Sequence, residues 1–242
     1  GTARACRRDD FLFPSYRELG VALVRGAQPR DTVLAWRGEE HSTYDPYELN
    51  LASTQIIVGA QGLHAVGYAM GIQRDGADQV AVAYFGDGAS SQGDINEALV
   101  FASSFQAPVV FVCSNNQWAI SEPVGVQARF PIAGRAPGFG IPSLRVDGND
   151  VIGCLAAMRW ALDHARRGRG PAFLEAITYR MGPHTTSDDP TRYRDAAEVE
   201  GWGRRDPLAR VEAWLRSKDA FDDEFTGSVA AAADDFAAGM RS

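Results

Sequence analysis

Two polar turns carry the residues of this chain that are best suited to chemistry. The first is Gly86-Asp87-Gly88 and the second is Asn115-Asn116. The carboxylate of Asp87 and the amide oxygen of Asn116 are hard oxygen ligands, which suit Mg²⁺ together with water and substrate phosphates. A glycine on either side of Asp87 lets the backbone approach a phosphate closely. The two turns therefore predict a site for a magnesium-bound diphosphate.

Three segments around these turns are expected to position them. Val80–Phe85 and Val109–Cys113 are short, β-branched and aromatic, as strands buried on both faces are. Between them, Ile95–Phe105 has apolar residues at helical spacing, so the unit predicts a crossover between parallel strands. Ligands of open parallel sheets bind beyond the carboxyl ends of the strands, and each polar turn follows such an end. The two turns are therefore expected to lie side by side.

The remaining chain continues this pattern and predicts an α/β fold, with a parallel sheet and helices on both faces. Residues 36–54 are polar and predict a loop, and residues 56–73 change from strand-like to helical. Ser143–Val146 and Ala172–Tyr179 are expected strands, joined by the helix Val151–Arg167. The predicted apolar face of that helix consists of Ile152, Leu155, Met158 and Leu162.

Bulk composition excludes several classes of function. The chain has 242 residues, of which 45% are hydrophobic, enough for a globular core. A formal net charge of −7 argues against a nucleic-acid surface or an anionic membrane surface. No run of about 18 apolar residues predicts a membrane span. Cys6, Cys113 and Cys154 lack metal-ligand spacing. Cys113 lies in a predicted strand and Cys154 in a predicted helix, which favours core positions for these two in a reducing compartment.

A further candidate segment is the loop Arg180–Arg194, which follows the last predicted strand. It carries His184 among hydroxyls and arginines at the expected ligand-binding edge, where loops are often functional; an exposed loop histidine is the alternative. His41 is expected to be a solvated loop residue, and His64 a packed or partner-facing one. Arg17 follows a strand-like segment and a proline, and is either a surface cation or a phosphate clamp.

Four motifs together resemble the alpha subunit of the thiamine diphosphate-dependent component of 2-oxo acid dehydrogenase complexes. They are YFGDGASSQGD, CSNNQWAISEPV, GFGIPSLRVDGNDV and TYRMGPHTTSDDPTRYR, and the segment FPSYRELGVALVRG fits as well. GDG followed by NN, with 26 residues between Gly88 and Asn115, is similar to the thiamine diphosphate fingerprint. The resemblance covers nearly the whole chain and implies the thiamine diphosphate-binding fold.

The resemblance also implies roles for individual residues. The implied Mg²⁺ ligands are Asp87, Asn116 and the backbone carbonyl of Trp118. The implied cofactor-binding residues are Tyr16, Arg17, Val58, Gly86, Asp87, Gly88, Ala89, Asn116, Ile120, Arg180 and His184. His184 is the implied catalytic residue. Ser114 stands where many members have an arginine, so Arg17 or Arg180 would carry more of the diphosphate's charge.

The implied activity is oxidative decarboxylation of a 2-oxo acid with transfer of the acyl group to lipoyl-lysine. Trp118 and the SDD sequence favour a branched-chain acid such as 3-methyl-2-oxobutanoate, with pyruvate and acetoin as alternatives. The implied partners are a beta subunit in an alpha2beta2 assembly, which would supply the activating carboxylate, and the lipoyl domain and core of the acyltransferase component. Thr185–Ser187 lie where mitochondrial relatives carry a regulatory phosphoserine; hydroxyls that order the loop are the favoured interpretation, and phosphorylation is the alternative.

Two expectations concern the extent of the chain. Family members usually have several tens of residues before the position of Gly1 and a longer segment at 36–54. We therefore expect that this chain is a fragment or that disordered segments have been omitted from it. Residues 1–194 are expected to form the cofactor domain, and residues 195–242 to form C-terminal helices that pack on it or on a partner. The expected location is a bacterial cytoplasm, with the mitochondrial matrix as the alternative.

Two other classes of function remain as alternatives to this enzyme. One is a non-catalytic partner-binding subunit that keeps the fold without turnover. The other is a nicotinamide-dependent Rossmann oxidoreductase, against which the sequence argues because no GxGxxG follows a first strand.

Overall fold

A five-stranded parallel sheet lies at the centre of the computed structural model, which describes residues 1–38 and 44–240. The strands of this sheet are β1 (Phe11–Phe13), β2 (Ala81–Gly86), β3 (Val109–Asn115), β6 (Ser143–Asp147) and β7 (Ala172–Ile177). A separate antiparallel pair consists of β4 (Trp118–Ala119) and β5 (Glu122–Pro123). The order β1-β2-β3-β7-β6 makes β2 and β3 neighbours. His41 lies outside the described residues, so its expected position stays a prediction.

Eleven α-helices accompany the strands within residues 1–38 and 44–240. They are α1 (Thr2–Ala5), α2 (Leu19–Arg25), α3 (Pro29–Trp36), α4 (Pro46–Leu49), α5 (Ala60–Arg74), α6 (Gly93–Phe105), α7 (Val124–Gln127), α8 (Val151–Arg166), α9 (Ala196–Gly203), α10 (Pro207–Arg216) and α11 (Asp223–Gly239). The 3₁₀ helices are Asp87–Ser91, Ile132–Phe139 and Pro190–Arg192. Among the described helices, none is long and apolar enough to cross a membrane.

Side chains of β2 alternate between two hydrophobic cores, one on each face of the sheet. Ala83 and Phe85 belong to the core that includes residues of α5 and α6, whereas Val82 and Tyr84 belong to the core that includes residues of α2 and α8. Full burial of a side chain such as Phe85 stabilises the fold by about 1.5–3 kcal/mol. Because both faces are covered, the predicted parallel sheet with helices on both sides is confirmed.

The helix between β2 and β3 explains why these strands end at the same edge. α6 buries Ile95, Ala98, Leu99 and Ala102 against the sheet, as its spacing predicts. The helix ends at Phe105; the capping residue Gln106 has a φ of 50° in the left-handed region, and β3 begins three residues after it. The strands then run parallel in register, with Gly86 opposite Ser114.

Two predicted segments differ from the observed ones. Ile56 and Ile57 do not form a strand; both are exposed, and the helix begins at Ala60 after Gly59, whose φ is 90°. A short apolar run is typical of a buried strand, but Ile56 and Ile57 line a cavity instead. The predicted loop 36–54 contains the short helix α4, which Asp45 caps by accepting hydrogen bonds from two backbone N–H groups.

The predicted apolar face of α8 is wrong in its first half. Ile152 is exposed and Leu155 is half-buried, whereas Met158 and Leu162 are buried as predicted. The remaining buried positions are Cys154, Ala157, Ala161 and Ala165. Small side chains let the helix approach the sheet, so the buried face combines Met158 and Leu162 with small residues and leaves Ile152 outside it.

The C-terminal helices contact the α/β core through a few polar and aromatic groups. The ring of Trp202 on α9 stacks on Tyr179 at a centroid distance of 5.2 Å. Arg210 on α10 forms an ion pair with Asp147 at 2.8 Å. α11, all of which is described, has no buried residue. The predicted domain boundary between residues 194 and 195 stays a prediction.

Candidate active site

Asp87 and Asn116 are in direct hydrogen-bond contact, as the sequence predicts. The backbone N–H of Asn116 donates to Oδ1 of Asp87 at 3.1 Å. Asp87 immediately follows β2, and Asn116 immediately follows the neighbouring strand β3. The expectation that the two polar turns meet at one edge of the sheet is therefore confirmed.

The carboxylate of Asp87 is buried among neutral partners. The residue is 1% exposed, and Oδ2 accepts a hydrogen bond from Nε2 of Gln127 at 3.0 Å. None of the ion pairs among the described residues includes Asp87. Burial raises the pKa of this carboxyl group, and the hydrogen bonds from Gln127 and Asn116 partly oppose that effect. A carboxylate in this state favours the approach of a cation.

The segment after β3 is shaped by side chains that bond to its own backbone. Oδ1 of Asn116 accepts from the backbone N–H of Trp118 at 3.1 Å. Gln117 and Ile120 have φ angles of 74° and 56°, which lie in the left-handed region that residues other than glycine rarely adopt. Such strain is typical of functional sites, and at the β-branched Ile120 it amounts to about 1–3 kcal/mol.

Arg180 fastens this segment to the loop that follows β7. Its Nη1 donates to the carbonyl oxygen of Trp118 at 3.0 Å, and its Nη2 donates to the carbonyl oxygen of Ile120 at 2.7 Å. Nη2 also donates to the hydroxyl of Tyr193 at 2.9 Å. A rigid guanidinium suits such a multiple contact. The carbonyl of Trp118 keeps a second lone pair, so this bond leaves room for its implied role as a metal ligand.

A cavity of about 550 Å³ lies over this edge of the sheet. Eleven predicted site residues line it: Tyr16, Arg17, Val58, Gly86, Asp87, Gly88, Ala89, Asn116, Trp118, Ile120 and His184. Arg180 is not among the described residues that line it. Residues that the sequence analysis did not single out for this site are Ser15, Glu18, Trp36, Gln55, Ile56, Ile57, Gly59, Gln61, Ala119 and Thr185, together with Ser114, which was noted only as a departure.

Gln61 and Glu18 are polar residues among these additional ones: Gln61 is buried, and Glu18 is half-buried. Gln61 is 3% exposed; its Nε2 donates to the carbonyl oxygen of Tyr84 at 2.8 Å, and its Oε1 has no partner among the described residues. A polar residue on a buried helix face was the available signal. Glu18 accepts a hydrogen bond from the backbone N–H of Ser15 at 2.7 Å, and burial raises the pKa of its carboxyl group.

His184 is held by contacts to its backbone, which leaves its imidazole in the cavity wall. Its N–H donates to Oδ2 of Asp188 at 2.6 Å, and its carbonyl accepts from the guanidinium of Arg17. Burial lowers the pKa of the imidazole, and the nearby charges of Arg17 and Arg180 lower it further. The side chain is therefore neutral at pH 7, with one ring nitrogen as donor and the other as acceptor.

Gly88 lies close to the β4–β5 hairpin. A Cβ atom at this position would lie 2.9 Å from the Cβ of Ala119, a distance that side chains do not tolerate without a shift. A larger residue would therefore displace the β4–β5 hairpin, which carries the carbonyl of Trp118 and the side chain of Ile120.

Comparison with known proteins shows the family to which this chain belongs. The alpha subunit of 3-methyl-2-oxobutanoate dehydrogenase from Mycobacterium tuberculosis is 49% identical over 96% of this chain and 64% of its own length. The alpha subunit of the pyruvate dehydrogenase E1 component from Acholeplasma laidlawii is 42% identical over 93% of this chain and 66% of its own length. The corresponding subunit from Staphylococcus epidermidis is 40% identical over 93% of this chain and 61% of its own. The chain thus spans a little less than two thirds of these relatives.

A solved structure from Mycobacterium smegmatis, described as thiamin diphosphate-dependent, matches 74% of this chain and 30% of its own chain with a TM-score of 0.49 and 22% identity. The family match is much broader, since it extends over residues 1–235. The chain belongs to the dehydrogenase E1 component family.

Proposed function

We propose that this chain is the alpha subunit of a thiamine diphosphate-dependent 2-oxo acid dehydrogenase that acts on branched-chain acids such as 3-methyl-2-oxobutanoate. The observation that carries the proposal is the contact between the buried carboxylate of Asp87 and Asn116 at the edge of a cavity of about 550 Å³. A 49% identical branched-chain relative, against 42% for a pyruvate relative, supports the choice of substrate. Pyruvate is the alternative substrate.

The residues present fit a magnesium ion. Asp87 offers a buried carboxylate whose described partners are uncharged. Asn116 and Trp118, which line the same cavity, offer an amide and a carbonyl oxygen. No group of three His, Cys, Asp or Glu side chains suited to a metal occurs in the part of the chain that the structure describes. A site of one carboxylate and neutral oxygens suits Mg²⁺, which keeps waters and phosphate oxygens in its shell.

The residues present also fit a diphosphate. Gly86, Gly88 and Ala89 bring backbone to the cavity beside Asp87, and Arg17 brings a guanidinium to its wall. Backbone N–H groups and arginine are the usual partners of phosphate oxygens. These groups would hold the diphosphate, while the apolar side chains of Val58 and Ile120 would exclude water from the rings.

When bound, thiamine diphosphate supplies the electron sink for loss of CO₂ from a 2-oxo acid. His184 is neutral at pH 7, so its ring N–H would be available as a donor to the oxygen of the 2-oxo group or to the lipoyl sulfur. Arg17 holds the backbone of His184, and Asp188 accepts its N–H, so the imidazole stays at the cavity wall.

The activating carboxylate is assigned to a beta subunit. Among the described residues, Glu18 and Asp87 are the carboxylates that line the cavity; the first accepts a backbone hydrogen bond from Ser15, and the second serves the metal. Trp36, Ile56 and Ile57 line the cavity yet are exposed, with 59%, 76% and 68% of their surface accessible. This apolar rim supports a covering partner chain. The lipoyl domain and the acyltransferase core are the further proposed partners.

The test is reconstitution with a beta-type subunit. We expect turnover of 3-methyl-2-oxobutanoate only when both chains are present, at a higher kcat/KM than for pyruvate. Calorimetry with thiamine diphosphate and Mg²⁺ separates an enzyme from a non-catalytic relative. A folded complex that binds no cofactor would refute the proposal, whereas preference for pyruvate would correct the substrate alone.

A further inference from the structure

Glu175 is a carboxylate in the middle of the sheet that the proposed mechanism does not use. It lies on β7 and is 0% exposed. Oε1 accepts from Nδ2 of Asn115 at 2.7 Å, and Oε2 accepts from the backbone N–H of Ala133 at 2.9 Å. Nε of the half-exposed Arg145 lies 3.3 Å from Oε2. Because a buried carboxylate is unfavourable without partners, its position here calls for a role.

The contact with Asn115 determines how that side-chain amide is oriented. A carboxylate only accepts hydrogen bonds, so Glu175 requires the NH₂ group of Asn115 to face it. Oδ1 of Asn115 then faces the other way and accepts from the backbone N–H and from Nε2 of Gln117, both at 3.1 Å. Glu175 thus acts through Asn115 on the turn at Gln117.

This turn orients the groups that the proposed metal site uses. Gln117 takes its φ of 74° between Asn116, which bonds to Asp87, and Trp118, whose N–H donates to Oδ1 of Asn116. Hydrogen bonds from Glu175 to Asn115 and from Asn115 to Gln117, followed by the backbone of residues 116–118, therefore connect the sheet interior to the site.

The second carboxylate oxygen of Glu175 is connected to the turn at Asp87. Ala133 lies on the 3₁₀ helix Ile132–Phe139, and Arg135 of the same helix donates to the carbonyl oxygen of Ser90. Ser90 belongs to the 3₁₀ helix that begins at Asp87. Both metal-binding turns are thus connected to one buried carboxylate.

We propose that Glu175 is a positioning residue for the magnesium site, acting through the amide of Asn115. The inference rests on the proposed function. A glutamine at position 175 has the same shape but carries one NH₂ group, which must face either Asn115 or the N–H of Ala133. The first arrangement opposes two donors unless the Asn115 amide turns over, and turning it over removes the bonds to Gln117.

The experiment compares Glu175→Gln in two backgrounds by titrating Mg²⁺ into the alpha–beta complex at saturating thiamine diphosphate. In the natural background, Glu175→Gln is expected to weaken Mg²⁺ affinity about tenfold, as loss of groups that orient metal ligands does. In an Asn115→Asp background the same change is expected to strengthen the affinity, because an aspartate accepts from the NH₂ of the glutamine while still accepting from Gln117. Arg145→Gln is the matched control; it removes the ion pair and is expected to leave the affinity unchanged.

Glu175→Gln is thus expected to weaken Mg²⁺ affinity in one background and to strengthen it in the other. A purely structural role of Glu175 would not produce these opposite effects. Unchanged affinity of folded Glu175→Gln, or the same weakening in both backgrounds, overturns the inference while the proposed function stands. If Glu175→Gln alone does not fold, a double variant that folds and binds Mg²⁺ more tightly than Asn115→Asp supports it, and a double variant that also fails to fold overturns it. Absence of binding by the natural complex overturns the proposed function and this inference together.

Discussion

Replacement of Asp87 by asparagine should separate the stability of the empty protein from its ability to bind the cofactor. The carboxylate is buried, and its described partners are uncharged groups of Asn116 and Gln127. An asparagine keeps the shape and can keep both contacts, since the amide of Gln127 can turn over. Removing a buried charge of this kind stabilises the cofactor-free protein by about 1–2 kcal/mol. For a chain of this size that raises the apparent Tm by about 2–8 °C.

With thiamine diphosphate and Mg²⁺ present, the natural protein should have a higher apparent Tm than Asp87→Asn. A ligand at a hundredfold excess over its Kd stabilises the natural protein by about 2.7 kcal/mol, which adds about 5–11 °C to the apparent Tm. Asp87→Asn lacks the charged metal ligand, so thiamine diphosphate with Mg²⁺ should leave its Tm unchanged. Asp163→Asn is the control for net charge, because Asp163 is exposed and its ion pair among the described residues is with Arg167, the residue after α8.

The same variant gives a signed pH dependence. The folded pKa of Asp87 is raised above its ordinary value of 3.8, so the folded protein binds this proton more tightly than the unfolded chain does. The charged carboxylate therefore lowers the stability of the natural protein by its full amount above the raised pKa. This loss of stability disappears as the pH falls toward 3.8 and the carboxylate is protonated. The advantage of Asp87→Asn should shrink accordingly in thermal unfolding of the cofactor-free complex. A less stable cofactor-free variant, or one that the cofactor stabilises normally, would refute the reasoning.

Two further substitutions test other parts of the site. His184→Ala should load thiamine diphosphate and Mg²⁺ normally in calorimetry but acylate a lipoyl domain about 10²–10⁴-fold more slowly, because it removes a proton donor; undiminished acylation would contradict the role. Gly88→Ala should lower the free energy of unfolding by about 1–3 kcal/mol, because its Cβ would lie 2.9 Å from that of Ala119. Gly93→Ala is the matched control, since no described atom lies within 4 Å of an added Cβ there; equal urea midpoints for the two variants would show that the close approach imposes no constraint.

The strand ends and the polar turns were predictable because their signals are local. Buried parallel strands require continuous apolar runs, and Gly86-Asp87-Gly88 and Asn115-Asn116 follow two of them directly. The rule that ligands gather at the carboxyl ends of neighbouring strands then places Asp87 beside Asn116. The same reasoning failed at Ile56 and Ile57, because an apolar run at the rim of a cavity has the composition of a buried strand.

Sequence alone thus determined which residues end the strands and which chemical groups stand there. Tertiary structure decided which distant side chains surround them: Gln127 reaches Asp87 across 40 residues, Glu175 reaches Asn115 across 60, and Arg180 reaches the carbonyl of Trp118 across 62. A hydrogen bond depends on distance and direction in space, and between segments this far apart neither quantity leaves a periodic pattern in the chain. The composition of the site is therefore local, whereas its electrostatics and its rigidity come from the packing of the whole sheet.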